Sequence, residues 1–307
     1  MRRHPLLTFA VIVTTVVLVA GGVAALTSRG SQEFIAGSGG VAGQAEAADF
    51  QAMALAVGNF DGDRFDDVLV GAPFEDIGSN DDTGHVQVFY GSRNGASAAR
   101  DRFIHQRTRK VAGANEPGDQ FGAALAVGDF DNDGFDDAAI GTPGKDVDGV
   151  VDAGSVVILF GAENGLSGNR SIELSQREGL AGGGLGAGHR FGQTVAVGDF
   201  NGDDFADLAI GEPGAGSPAG ARSGAVSVLL GGEAGLAPDT AISFSQDTDG
   251  VGDDAEVDDR FGSSLAAGDF NGDGADELAV GTPGESIGTV QGAGLVQVFA
   301  GSSEGLV

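Results

Sequence analysis

The stretch Gly128–Pro143, GDFDNDGFDDAAIGTP, crowds alternating carboxylates, a glycine and a short apolar run into one segment. Asp129, Asp131, Asp133 and Asp137 take positions 1, 3, 5 and 9 of a loop, and Phe135 at position 7 offers its backbone carbonyl. Carboxylates this close repel one another in an empty loop. Hard cations such as Ca²⁺ take six to eight oxygens at about 2.3–2.6 Å. A bound divalent ion turns the repulsion into the force that orders the turn.

The loop recurs. Asn59, Asp129, Asp199 and Asp269 open four copies at one constant interval. Gly71, Gly141, Gly211 and Gly281 keep that spacing, as do Pro73, Pro143, Pro213 and Pro283. A fixed period of this kind marks a repeat architecture. The predicted ligands of the first copy are Asn59, Asp61, Asp63, Phe65 and Asp67. Those of the third are Asp199, Asn201, Asp203, Phe205 and Asp207, and those of the fourth Asp269, Asn271, Asp273, Ala275 and Glu277. Phe65, Phe205 and Ala275, like Phe135, would contribute only a carbonyl. Position 6 calls for a left-handed backbone, which Gly134 and Gly274 supply freely and Asp204 tolerates. Arg64 at that position adds strain and a repelling charge, so the expected order of strength is second, then fourth and third, then first. Affinity of about 10⁻⁴–10⁻³ M suffices outside a cell.

The units FGAALAVGDFDNDGFDDAAIGTP (Phe121–Pro143), FGQTVAVGDFNGDDFADLAIGEP (Phe191–Pro213) and FGSSLAAGDFNGDGADELAVGTP (Phe261–Pro283) resemble FG-GAP repeats. These are the blades of the integrin α-subunit N-terminal propeller and its bacterial relatives. The first copy departs from them, with Phe50-Gln51 in place of Phe-Gly and one residue out of step. The resemblance spans residues 34–307. It implies calcium hairpins on one face of a β-propeller. It also implies adhesion to an extracellular protein or glycan through loops on the other face (residues 74–84, 144–154, 214–224 and 284–294).

The fold expected is all-β, a propeller of four blades at about 50–110, 121–176, 191–246 and 261–307, within one domain over 31–307. Apolar runs bounded by turn residues give four antiparallel strands per blade, with the acidic loop joining the first two. In the second copy these are Leu125–Val127, Ala138–Ile140, Val156–Phe160 and Ser171–Leu174. The last copy runs out after Leu295–Phe299. Phe34-Ile35 is placed like Phe103-Ile104, and Val41-Ala42-Gly43 lies one full period before Val111-Ala112-Gly113. The segment 33–36 is therefore expected to supply the final blade's outer strand and close the ring. A fragment of a longer ring, or two chains sharing one, fits the same pattern. Phe60, Phe130, Phe200 and Phe270, at position 2 of each loop, read as packing between blades.

Residues 1–30 read as an export segment. Arg2 and Arg3 precede an uncharged run, Val23-Ala24-Ala25 offers a small-residue cleavage site, and Leu6–Leu26 is long enough to span a bilayer as a hydrophobic helix. Signal peptide and retained anchor are both consistent with it; either places the remainder on the extracellular side. The formal charge is −29, with 45 acids against 16 Lys and Arg, which disfavours nucleic-acid binding. There are no cysteines, hence no disulfide, zinc thiolate or cysteine nucleophile. The basic cluster Arg100, Arg102, Arg107, Arg109 and Lys110 and the acidic run Asp253–Asp259 read as solvated surface, the former also suiting an acidic glycan. His85, His105 and His189 are isolated, and no nucleophile elbow or metalloprotease helix occurs. The chain reads as a calcium-binding adhesion or ligand-binding module and not an enzyme. A cell-envelope scaffold without specific ligand, or an accessory to a polysaccharide- or lipid-acting hydrolase, is the alternative.

Overall fold

The computed structural model describes residues 32–44, 46, 49–178, 180, 184–216 and 222–307. The export segment lies outside them. Among the described residues no helix is long and apolar enough to cross a membrane.

Four antiparallel sheets follow one another along the chain. The first holds β1 (Ala54–Gly58), β2 (Asp67–Ala72), β3 (His85–Tyr90) and β4 (Ser97–Ile104). The second holds β5 (Ala124–Gly128), β6 (Asp137–Thr142), β7 (Ser155–Phe160) and β8 (Ser167–Leu174). The third holds β9 (Thr194–Gly198), β10 (Asp207–Glu212), β11 (Ala225–Leu229) and β12 (Ile242–Phe244). The fourth has β13 (Ser264–Gly268), β14 (Glu277–Thr282) and β15 (Leu295–Phe299). The strands expected in the second copy are all present, most of them one or two residues longer at an end, and the outer one begins four residues earlier, at Ser167. Register repeats with the sequence: Ala54 pairs with Gly71, Ala124 with Gly141, Thr194 with Gly211 and Ser264 with Gly281.

Alternation along the first strand of each sheet decides what it covers, because successive side chains point to opposite faces. Leu125 and Val127 join the core formed with Phe60, Leu69, Val86 and Val88 of the preceding sheet. Ala126 and Phe130 face forward, into the core shared with Leu208 and Ile210 of the following one. A third core, around Phe200, Val226, Phe261 and Leu278, repeats this between the third and fourth sheets. The sheets approach so closely that a Cβ on Gly141 would sit 2.0 Å from the Gly192 carbonyl oxygen. Only glycine fits there.

The N-terminal segment departs from expectation. Among the described residues the last sheet has three strands, and Phe34–Ala36 is not one of them. Instead Phe34 stacks on Phe89 of the first sheet with ring centroids 4.4 Å apart, and Val41 packs with Val70 and Phe89. Ser38 N–H donates to Ile35 O and Val41 N–H to Ser38 O, the double turn also made by His105, Thr108 and Val111. Phe34 is thus the counterpart of Ile104, one residue from the alignment the sequence suggested, and the residues after it form the approach to the first sheet. The first and last sheets leave apolar faces open. Leu55 and Val57 on the first are 62% and 59% exposed, Val296 and Val298 on the last 66% and 56%.

This packing ranks two substitutions of one residue type. Phe130→Ala, at 1% exposure, should cost about 3–5 kcal/mol. Phe270→Ala, 59% exposed because none of the described sheets packs over it, should change stability by about 0.5 kcal/mol or less. Parallel thermal melts of the two variants check the order.

Candidate metal centres in the hairpins

Each acidic loop joins the first two strands of its sheet, and in the first three copies one carboxylate ties it to the turn after the third strand. Asp137 is fully buried; it accepts Phe130 N–H at 2.8 Å on one oxygen and Gly161 N–H at 2.8 Å on the other. Asp67 does the same with Phe60 and Gly91 at 3.0 and 2.8 Å, and Asp207 with Phe200 and Gly231 at 2.8 and 2.7 Å. Glu277, with its longer arm, takes Phe270 N–H at 2.8 Å and the Asn271 amide at 2.7 Å. Position 9 is therefore a structural latch as well as a candidate ligand. Burial pushes the Asp137 carboxyl up to about 7, and those of Asp67 and Asp207 up to about 6, against the opposing pull of the two amides.

The other positions are ordered by the loop backbone. The position-7 amide donates to the position-5 carboxylate in every copy: Phe65 to Asp63 at 2.7 Å, Phe135 to Asp133 at 3.1 Å, Phe205 to Asp203 at 3.0 Å, Ala275 to Asp273 at 3.0 Å. In the last three copies, position 1 accepts the amides of positions 5 and 6. Asp129 receives Asp133 and Gly134, Asp199 receives Asp203 and Asp204, and Asp269 receives Asp273 and Gly274. Asp204 has φ +68°, the left-handed geometry expected of position 6. Arg64 stays out of that region and lies over the Phe65 ring, so the first loop runs differently without the expected backbone strain. There Asn59 donates to Asp63 O at 2.7 Å, where the other copies accept.

The geometry suits a hard cation best in the second hairpin. One oxygen from each of Asp129, Asp131 and Asp137 lies within 4.8 Å of the others, and Asp131 Oδ1 is buried with no hydrogen-bond partner. Asp133 stands aside from this trio. In the third and fourth hairpins Asn201 and Asn271 replace one carboxylate and donate to Asp203 and Asp273, both at 2.8 Å.

Three contributions were not visible in the sequence. Arg170, from the outer strand of the second sheet, pairs with Asp131 and approaches Asp133 at 3.8 Å while its guanidinium covers the Phe160 ring. Arg100 makes the same reach to Asp61 at 3.0 Å over Tyr90. Arg100 of the basic cluster thus balances hairpin charge while staying largely exposed, and the second loop carries a competing cation of its own. Next, Asp136 Oδ2 accepts Asn59 N–H at 2.6 Å and Asp276 Oδ2 accepts Asp199 N–H at 3.0 Å, tying the first hairpin to the second and the third to the fourth. Finally, the loops after the second strands bond to the next sheet: Gly118, Gln120 and Phe121 donate to Asp81, Asp82 and Thr83 carbonyls.

The FG-GAP repeat profile matches residues 52–89, 121–159, 191–229 and 261–299, one match on each sheet and its hairpin. The chain belongs to the FG-GAP repeat family. As an FG-GAP protein it has relatives of two kinds. It is 34% identical over 191 residues to phosphatidylinositol-glycan-specific phospholipase D of Bos taurus, covering 61% of this chain and 21% of that one. It is 36% identical over 161 residues to integrin alpha-PS5 of Drosophila melanogaster, covering 51% and 14%. With integrin alpha pat-2 of Caenorhabditis briggsae it shares 31% over 249 residues, covering 76% and 18%. The FG-GAP chain therefore spans about a fifth or less of these relatives.

Two outcomes follow from the latch and the arginine. Carboxyl groups raised in the folded state favour the protonated form, so their stabilisation is present below about pH 4 and lost as pH rises through 6–7. In chelator, the melting temperature should fall across that window, and Asp137→Asn should flatten the fall. Arg170→Ala should tighten calcium uptake by the second hairpin several-fold, since it removes a positive charge from Asp131; calorimetric titration reads this.

Proposed function

We propose that the chain is an extracellular, non-catalytic binding module whose hairpins are stiffened by Ca²⁺ and whose ligand is a protein or glycan. The observation that carries this reading is the cluster formed by Asp129, Asp131 and Asp137 on the second hairpin, whose acid spacing recurs in the sequence of the other three. An all-oxygen donor set on a tight turn suits Ca²⁺ over softer metals. When bound, the ion supplies charge neutralisation; the chain's own residues set the turn. Asp129 gathers two loop amides, and Asp137 locks the hairpin to Gly161. Relatives named integrin alpha support a role in contact with other molecules, and the N-terminal run, read as a signal or anchor, supports export.

The phospholipase D relatives favour a second reading, in which the propeller serves as an accessory to lipid hydrolysis. The two part in one experiment. The full chain is titrated with Ca²⁺ by calorimetry, then applied with and without calcium to glycan arrays, intact cells and glycosylphosphatidylinositol substrates. Calcium uptake with saturable, calcium-dependent binding and no turnover is expected. Turnover of the lipid would overturn the non-catalytic reading, and absence of calcium uptake would remove the stiffening.

A further inference from the structure

A second type of cation site lies away from the hairpins. It occurs where the approach to a sheet meets the turn after that sheet's second strand. At the second sheet this junction holds Glu116, Asp119 and Lys145. The Lys145 ammonium, 5% exposed, pairs with Glu116, lies 3.4 Å from Asp119 Oδ2, and donates to Ala114 O at 2.7 Å. The acids there have a built-in cation. One buried ammonium satisfies two carboxylates and a carbonyl.

At the fourth sheet, two repeats on, the same three places are Glu256, Asp259 and Glu285. A carboxylate has replaced the lysine. One oxygen from each of the three acids lies within 4.8 Å of the others, and Asp259 and Glu285 are each 1% exposed. The frame is otherwise unchanged: Asp259 Oδ2 accepts Glu256 N–H as Asp119 Oδ2 accepts Glu116 N–H. What remains is a trio of acids with no ammonium among them, although Glu285 accepts Ser286 N–H at 2.9 Å on its other oxygen, Oε1. Asp259 Oδ1 and Gln246 Oε1 are both buried with no hydrogen-bond partner, and Gln246, 2% exposed, donates its amide to Glu285 Oε2. Buried carboxylates are paired or coordinate metal, since desolvating them alone is costly. The first sheet repeats the acidic version with Glu46, Asp49 and Glu75, beside a cavity of about 410 Å³ that all three line. At the third sheet the places fall to Gly186, His189 and Ala215, and the acid trio is lost.

We infer that Glu256, Asp259 and Glu285 bind a divalent cation of the calcium type, which takes the place that the Lys145 ammonium fills at the second sheet. The donors are oxygens, with the Asp254 carbonyl the repeat counterpart of that of Ala114, and this set suits a hard ion. The site joins the linker to the sheet it enters, so it fixes that linker on the fourth sheet independently of the hairpins.

The test is a reciprocal exchange in the full chain, with Ca²⁺ and Tb³⁺ as probes. Glu285→Lys should lose one calcium equivalent by calorimetry and become less sensitive to chelator in thermal melts. Lys145→Glu should gain one equivalent, melt lower in EDTA and recover with calcium. Anomalous diffraction from Tb³⁺-soaked wild-type crystals should place a peak between Glu256, Asp259 and Glu285, which serves even where a variant fails to fold. Peaks at the hairpins with none at this junction, or equal calcium counts in wild type and Glu285→Lys, would overturn the inference. A junction peak without hairpin peaks would uphold it and remove the hairpin reading.

Discussion

The first three sheets each depend on a buried carboxylate that accepts two backbone amides at one end of the sheet, one from its own hairpin and one from the turn after the third strand. Asp137 holds Phe130 at the start of its hairpin and Gly161 beyond the third strand. Asp67 and Asp207 repeat the arrangement. A hydrogen bond to a charged group contributes about 1.5–3 kcal/mol, yet the same burial makes the charge itself unfavourable. Neighbouring Asp129 and Asp131 add repulsion. The hairpin is consequently poised: a divalent ion relieves the tension, as does protonation or a nearby guanidinium.

The protein uses more than one of these remedies. Arg170 and Arg100 reach over aromatic rings to the second and first hairpins. The third and fourth hairpins draw their carboxylates toward backbone amides and Asn side chains. The junctions between sheets solve a related problem with Lys145 in one place and leave a trio of acids in another. A net charge of −29 thus has structure within it: part is neutralised by arginine and lysine, and part is gathered into close groups of acids.

Between sheets the stabilising term is apolar burial at close approach. Phe60, Phe130 and Phe200 are almost wholly buried, and glycines such as Gly141 let backbones meet where any side chain would collide. The hairpins assist through Asp136 and Asp276, each bonding to the preceding loop. Ordering a hairpin therefore also orders its partner within each pair, first with second and third with fourth, while Ala206 leaves the second and third without that link. The uncovered faces at Leu55 and Val298 carry the same residue types as the covered ones.

Sequence alone settled the fold class, the four sheets and the hairpins, because a constant long period with alternating apolar positions admits few other structures. Local spacing also placed Asp129, Asp131 and Asp137 on one turn, since they fall within a single short loop. Tertiary structure decided the rest. Arg170 and Gly161 lie 39 and 24 residues from their carboxylate partners, Asp136 lies 77 from Asn59, and Lys145 lies 26 from Asp119. Phe34 docks on the first sheet and not the last because the turn after it is the approach to a sheet, a distinction that depends on backbone hydrogen bonds. Spacing along a chain fixes which groups share a turn; which charges meet across sheets is set by how the sheets pack.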